Sequence, residues 1–153
     1  MNFEILYQDS MARCGQLSFL RGEIHTPVFM PVGTYGTVKA MTPDELLSLG
    51  AEIILGNTYH LMIRPGEEVI ALHNGLHKFM GWEKPILSDS GGFQIWSLSK
   101  KTKVHDDFVE FDSPINGDII RLTPEKAMKV QSILGSDIQM VLDECTHYPA
   151  NKT

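Results

Sequence analysis

The run Pro85-Ile86-Leu87-Ser88-Asp89-Ser90-Gly91-Gly92-Phe93-Gln94 decides how the chain is read. Pro85 to Ser88 is a short apolar stretch bounded by turn residues, the pattern of a buried strand. After it come a carboxylate, a hydroxyl, two residues without side chains and an aromatic ring. Asp89 can accept hydrogen bonds from a ring edge carrying adjacent N–H donors, and Gly91 and Gly92 allow close backbone approach. Phe93 is placed to cover a ring face. These groups suit a small planar ligand. They suit equally a tight strand-to-loop turn in which Asp89 caps local amides and Phe93 enters the core, so the choice rests on the remainder of the chain.

Upstream, Phe3 to Val32 reads as short antiparallel strands, with alternation at Gln16-Leu17-Ser18-Phe19 and breaks at Gly22, Pro27 and Pro31. Thr42-Pro43-Asp44-Glu45 opens a helix: a threonine N-cap, proline at the first helical position and a glutamate three residues after the cap. Gly50 is placed to end it. Ala51 to Asn57 is expected as a buried strand, Glu67 to Leu72 as a helix and Pro85 to Ser88 as the next strand. Downstream, Thr123-Pro124-Glu125 opens a helix through Leu134 that Gly135 stops, and Ile138 to Leu142 comes next as an apolar strand. Between Gln94 and that helix, Phe108-Val109-Glu110-Phe111 and Ile119-Ile120-Arg121-Leu122 flank Asn116-Gly117, the pattern of a hairpin inserted in a βα loop. The fold class is therefore α/β. The order agrees with the N-terminal portion of a TIM-type (β/α)8 barrel, with an antiparallel lead-in and a hairpin insertion. Asn57, Asp89 and Asp143 each follow the C-terminal end of a predicted strand, the rim where such barrels carry their chemistry.

The chain has 153 residues, 42% of them hydrophobic, enough for one core and one domain or part of one. No stretch approaches the ~18 apolar residues of a membrane span. The N-terminus, with Glu4 and Asp9 and no basic region, does not read as a secretory signal. Cys14 and Cys145 are too few for a disulfide framework and suit a reduced, cytoplasmic setting. A net charge of −6 disfavours a broad phosphate-binding surface.

Eight segments occur in order: Gly33-Thr34-Tyr35-Gly36-Thr37-Val38-Lys39, Leu55-Gly56-Asn57-Thr58-Tyr59-His60-Leu61, Arg64-Pro65-Gly66, Gly75-Leu76-His77, Phe79-Met80-Gly81-Trp82, the Asp89 block, Leu134-Gly135-Ser136-Asp137-Ile138 and Asp143-Glu144-Cys145-Thr146. Together they closely resemble the N-terminal part of bacterial tRNA-guanine transglycosylase, from about Phe3 onward. The resemblance implies a barrel enzyme that exchanges the wobble guanine of certain tRNAs for a 7-deazaguanine base, a queuosine precursor, through a covalent enzyme–tRNA intermediate. It implies that Asp89 is the base-handling general base and that Asp143 binds the guanine edge. Ser90, Gly91, Gly92 and Phe93 would line the base pocket, Phe93 stacking on a base flipped from the anticodon loop. Asn57 would support Asp89. Cys145 would form a pocket wall and, with Tyr148-Pro149 nearby, resembles the bacterial form that takes the small aminomethyl-deazaguanine. The family's nucleophilic aspartate, its basic RNA-binding segments and its zinc site would lie beyond Thr153, so residues 1–153 are expected to be an incomplete barrel, either a fragment of a longer enzyme or a truncated product. No cofactor is expected within these residues. The complete protein would be a cytoplasmic homodimer acting on tRNA and free base, without a membrane partner.

Blander readings accompany the remaining residues. His73 and His77 sit four apart, but Asn74-Gly75 between them indicates an exposed helix end and no further metal ligand is evident. Tyr59 and His60 are as well explained by packing as by ligand contact. Lys100, Lys101 and Lys103 read as a solvated loop. His147 is not a sufficient partner to make Cys145 a nucleophile. Two other functions fit the same residues: a purine- or tRNA-docking module working with a partner chain that supplies the nucleophile, and an unrelated barrel enzyme whose Ser90-Gly91-Gly92 nests a phosphate.

Overall fold

Tight turns at Ser10 and Gly22, both at positive φ, fold the start of the chain back on itself twice. In this computed structural model, which describes residues 1–98, 101–146 and 149, the result is an antiparallel meander of β1 (Asn2–Asp9), β2 (Ala12–Phe19) and β3 (Gly22–Thr26). The lead-in ends at Thr26 and does not extend to Val32. Val32–Gly33 (β4) is the first parallel strand, with Val32 paired to Leu55. Contacts that tie the meander to the body of the fold include Glu52, which accepts from the His25 backbone at 2.6 Å and lies 3.0 Å from His25 Nδ1, and Arg21, whose Nε lies 3.5 Å from Asp137.

Beyond the meander lies a four-stranded parallel sheet, formed by β4, β5 (Ile54–Gly56), β6 (Ile86–Ser88) and β10 (Ile138–Gln139), in the spatial order β10-β6-β5-β4. Each strand lies beside its predecessor in the sheet, as expected of successive βα units. The fold is α/β; among the described residues the sheet does not close. The strands are shorter than expected from the sequence: Ala51 to Asn57 contributes three ladder residues, and Ile138 to Leu142 only two. An apolar run marks burial, whereas a ladder persists only while a neighbour stays in register. Beyond Gln139 one bond remains, from Met140 N to Ser88 O at 3.1 Å.

Helices cross between these strands. In α1 (Pro43–Ser48) Thr42 and Glu45 form the reciprocal capping box, and Gly50 follows the helix at φ +80. Between β5 and β6 run α2 (Thr58–Ile63), α3 (Glu67–Leu72) and α4 (Leu76–Met80); α3 has the expected bounds. After β6 come α5 (Gly92–Leu98) and then a three-stranded antiparallel sheet of β7 (Lys103–Val104), β8 (Val109–Asp112) and β9 (Ile119–Leu122). The expected hairpin is present with one strand more. Lys103 therefore belongs to a strand, with its ammonium 3.7 Å from Glu110, and not to a free loop; Lys100 lies outside the described residues. The helix α6 (Pro124–Leu134) starts at the Thr123 cap and stops at left-handed Gly135, as its local signals dictate.

Leu46, Ile54, Leu61, Ile70, Leu76, Trp82, Ile86, Val130 and Leu134 pack the helices onto one face of the parallel sheet. A second cluster of Tyr59, Ile95, Phe111, Leu122 and Ala127 seats the hairpin sheet against α2, α5 and α6. His77 faces this interior instead of solvent and corrects the expectation of an exposed helix end: it is 3% exposed, with Nε2 3.0 Å from Asp137 Oδ2. The same Asp137 oxygen accepts from Ile86 N at 2.9 Å, so the pair anchors the beginning of β6. Burial and the nearby Arg21 hold the His77 imidazole below its ordinary pKa, against the pull of Asp137.

Candidate active site at the strand ends

Asp89 extends β6 by one residue, its amide donating to Gly56 O at 3.1 Å, and this projects its carboxylate off the C-terminal edge of the sheet. Three donors meet it there. Asn57 Nδ2 and Gln94 Nε2 donate to Oδ2 at 2.5 and 2.8 Å, and Thr58 N donates to Oδ1 at 2.8 Å. The Thr58 hydroxyl also donates to the Asp89 carbonyl at 2.6 Å. A carboxylate offers about four acceptor positions, so three are used by the protein and one on Oδ1 remains. Asn57 thus contacts Asp89 directly. Thr58 and Gln94 were not given roles from the sequence; their signal was adjacency, one residue after Asn57 and five after Asp89.

Ser90 is buried, and its hydroxyl donates to Asp143 Oδ1 while accepting from Gly92 N at 3.1 Å. This contact joins the Asp89–Ser90 segment to the Asp143 carboxylate. The glycines serve the protein's own backbone. A Cβ on Gly92 would lie 2.2 Å from Asp143 O and 2.6 Å from Asp143 Oδ1, and one on Gly91, at φ +87, would lie 3.3 Å from Tyr59 N. Bare backbone at Gly92 is therefore what allows the Asp143 segment to close on the Asp89 segment.

Asp89, Ser90, Phe93, Gln94, Met140, Val141 and Asp143 bound an open recess of about 430 Å³. Phe93 is on the first turn of α5, 56% exposed, its ring centroid 5.8 Å from that of Trp96. It stands at the recess wall and not in the core. Asp143 is exposed. Cys145, half-buried, lines a different cavity of about 250 Å³ with Ile95, Trp96, Phe108 and Leu142, which among the described residues shares only Asp143 with the recess. His147 and Tyr148 lie outside the described residues.

His60 sits behind this site, its ring 5.0 Å from Tyr35 and 5.1 Å from Tyr59, both edge-on. Burial holds its imidazole below the ordinary histidine pKa, with Asp89 pulling the other way. Of the two roles the sequence leaves open for Tyr59, packing is the one seen here, the residue being 2% exposed against Phe111. Among the described residues no group of three or more His, Cys, Asp or Glu is arranged to hold a metal ion. No helix among them is long and apolar enough to cross a membrane.

Carboxylates at the C-terminal ends of neighbouring parallel strands, facing an open recess, are the placement of substrate-handling groups in α/β enzymes. Residues 8–153 match the family model described as queuine tRNA-ribosyltransferase, and the chain belongs to that family. It is similar to proteins named queuine tRNA-ribosyltransferase from Thioalkalivibrio sulfidiphilus (63% identical over 152 residues) and Pseudoalteromonas translucida (59% over 152 residues), in each case over 99% of this chain. A third, from Thiobacillus denitrificans, is 58% identical over 152 residues. The chain spans 41%, 40% and 41% of the lengths of these three relatives.

Proposed function

We propose that residues 1–153 form the base-holding portion of a tRNA-guanine transglycosylase, the N-terminal part of a (β/α)8 barrel that exchanges the anticodon wobble guanine for a 7-deazaguanine base. One observation carries the reading: Asp89 is fixed by three donors yet keeps one acceptor position, beside a second carboxylate on the same rim. Guanine presents adjacent N–H donors along one edge. Asp143 and the Ser90 hydroxyl take that edge, Asp89 manages the proton on the departing and arriving base, and Phe93 covers a ring face.

Cleavage of the N-glycosidic bond leaves positive charge on the ribose, which a further carboxylate captures as a covalent intermediate while guanine departs with the bonding electrons; the incoming base then displaces that carboxylate. With Asp89 and Asp143 committed to the base, the nucleophile comes from outside these residues. Asp112 and Asp118 belong to or flank the inserted sheet, and Asp106 and Asp107 lie between β7 and β8. The tRNA backbone is likewise held elsewhere, in keeping with the charge of −6. The zinc site, the homodimer contacts and the cytoplasmic setting belong to the complete protein.

The test is calorimetric binding of free guanine to the chain, together with labelled-guanine exchange into tRNA and a denaturing gel for a covalent adduct. Guanine binding that is lost in Asp89→Asn, with no exchange and no adduct from the chain alone, is the expected result. Absence of guanine binding by the wild-type chain overturns the base-holding reading, and protection by inorganic phosphate instead would favour an anion nest. Exchange or an adduct would place a nucleophile within these residues.

A further inference from the structure

We infer that Gln131, a buried amide on α6 that does not touch the recess, is a positioning residue for Asp143 and sets the separation of the two rim carboxylates; this rests on the base-holding reading of the site. Gln131 is fully buried. Its Nε2 donates to Met140 O at 2.8 Å, and its Oε1 accepts from Met140 N at 3.0 Å. A side-chain amide that pairs with both polar groups of one residue acts as a piece of neighbouring strand. It does so where the β10 ladder ends, at Gln139.

The same Oε1 accepts from the Ser88 hydroxyl at 2.7 Å, and Ser88 immediately precedes Asp89. Gln131 therefore grips both strands at once, one residue before Asp89 and three before Asp143. Its own carbonyl receives Gln139 Nε2 at 3.3 Å, and the Ser88 hydroxyl is 2.6 Å from that of Ser136. Besides this clasp, the segment is held by Met140 N, which also donates to Ser88 O at 3.1 Å, by Leu142, half-buried against the second core cluster, and by the Ser90 hydroxyl, which meets the Asp143 carboxylate. Met140 and Val141 themselves are exposed, Val141 at 73%. The Asp89 carboxylate has its own donors besides this clasp, Asn57, Thr58 and Gln94.

Two variants of the full chain test the inference. Gln131→Met keeps the length of the side chain and removes its hydrogen bonds, and Gln131→Glu keeps the shape and the acceptors while losing the donor to Met140 O. In crystal structures of the variants, Asp143 should leave the Ser90 hydroxyl while the three donors to Asp89 stay in place. Guanine affinity should weaken by about tenfold, as for loss of one well-placed hydrogen bond. In an Asp143→Asn background the Gln131 change should cost no further affinity, a non-additivity that a general structural defect would not produce. Asp143 remaining on Ser90 in both variants, or fully additive losses, overturns the proposal. If neither variant folds, Gln131 is a folding residue and the proposal also falls. A wild-type chain that does not bind guanine sinks the function proposed above, while the position of Asp143 still decides this inference.

Discussion

Asp89 directly follows one parallel strand and Asp143 lies four residues past the end of its neighbour, and their supports differ sharply. Asp89 is partly buried under three donors drawn from two helices and a connecting turn. Asp143 is exposed, leans on the Ser90 hydroxyl and comes after a strand of only two ladder residues. The contrast teaches that a rim position supplies direction only; rigidity comes from how many fixed donors the fold aims at the group. A proton-handling group needs one geometry throughout the reaction, whereas a base-edge acceptor is completed by the ligand it binds.

The largest expected effect that would break this contrast is in stability. Asp89→Ala leaves three donors facing a vacancy, at about 1–3 kcal/mol for each that water does not reach, and should lower the unfolding midpoint markedly; Asp143→Ala should shift stability by no more than about 0.5 kcal/mol, as for an exposed site. Equal losses in thermal melts would show that the two corners are equally tied. Next is catalysis in a chain completed to the relatives' length. There Asp89→Asn should reduce labelled-guanine exchange by about 100-fold or more, and near-normal incorporation would remove Asp89 from the proton-handling role.

Smaller is the binding effect of Asp143→Asn, which turns one acceptor into a donor facing guanine's own donors and should weaken free-base affinity by on the order of 1–3 kcal/mol. Calorimetry showing wild-type affinity would make Asp143 structural. The smallest effect is electrostatic. Asp89 raises the His60 pKa against the depression caused by burial, so Asp89→Asn should move the His60 titration further down in NMR, and Asp143→Asn should leave it in place. A buried imidazole that resists protonation binds fewer protons than in the unfolded chain, so His60 favours the folded state above its ordinary pKa, and that contribution declines as pH falls below it.

Much of the scaffold was legible where the signals are local. Thr42-Pro43-Asp44-Glu45, Thr123-Pro124-Glu125 and Gly135 start and stop helices through bonds within a few residues, and α1 and α6 begin and end where those residues stand. The helices α2, α4 and α5 were not read, because five to seven residues between glycines, prolines and strand ends carry no amphipathic period. His77 was misplaced for a related reason. A histidine beside Asn74-Gly75 looks like a surface terminus, and only an aspartate 60 residues away makes it a buried anchor.

The sequence by itself determined that the chain is α/β, that Asp89 ends a strand, and that the order of its motifs is that of the transglycosylase family, since each is set by neighbouring residues or by their succession; Asp143, expected directly after a strand, instead lies four residues beyond the last ladder residue, Gln139. Tertiary structure alone decided which groups meet. Thr58 and Asn57 reach Asp89 across 31 and 32 residues, Ser90 reaches Asp143 across 53, and the space that Gly92 leaves empty is taken by the Asp143 backbone. Such contacts depend on strand register and helix placement, which are set by the packing of the whole sheet and not by any stretch of chain short enough to read.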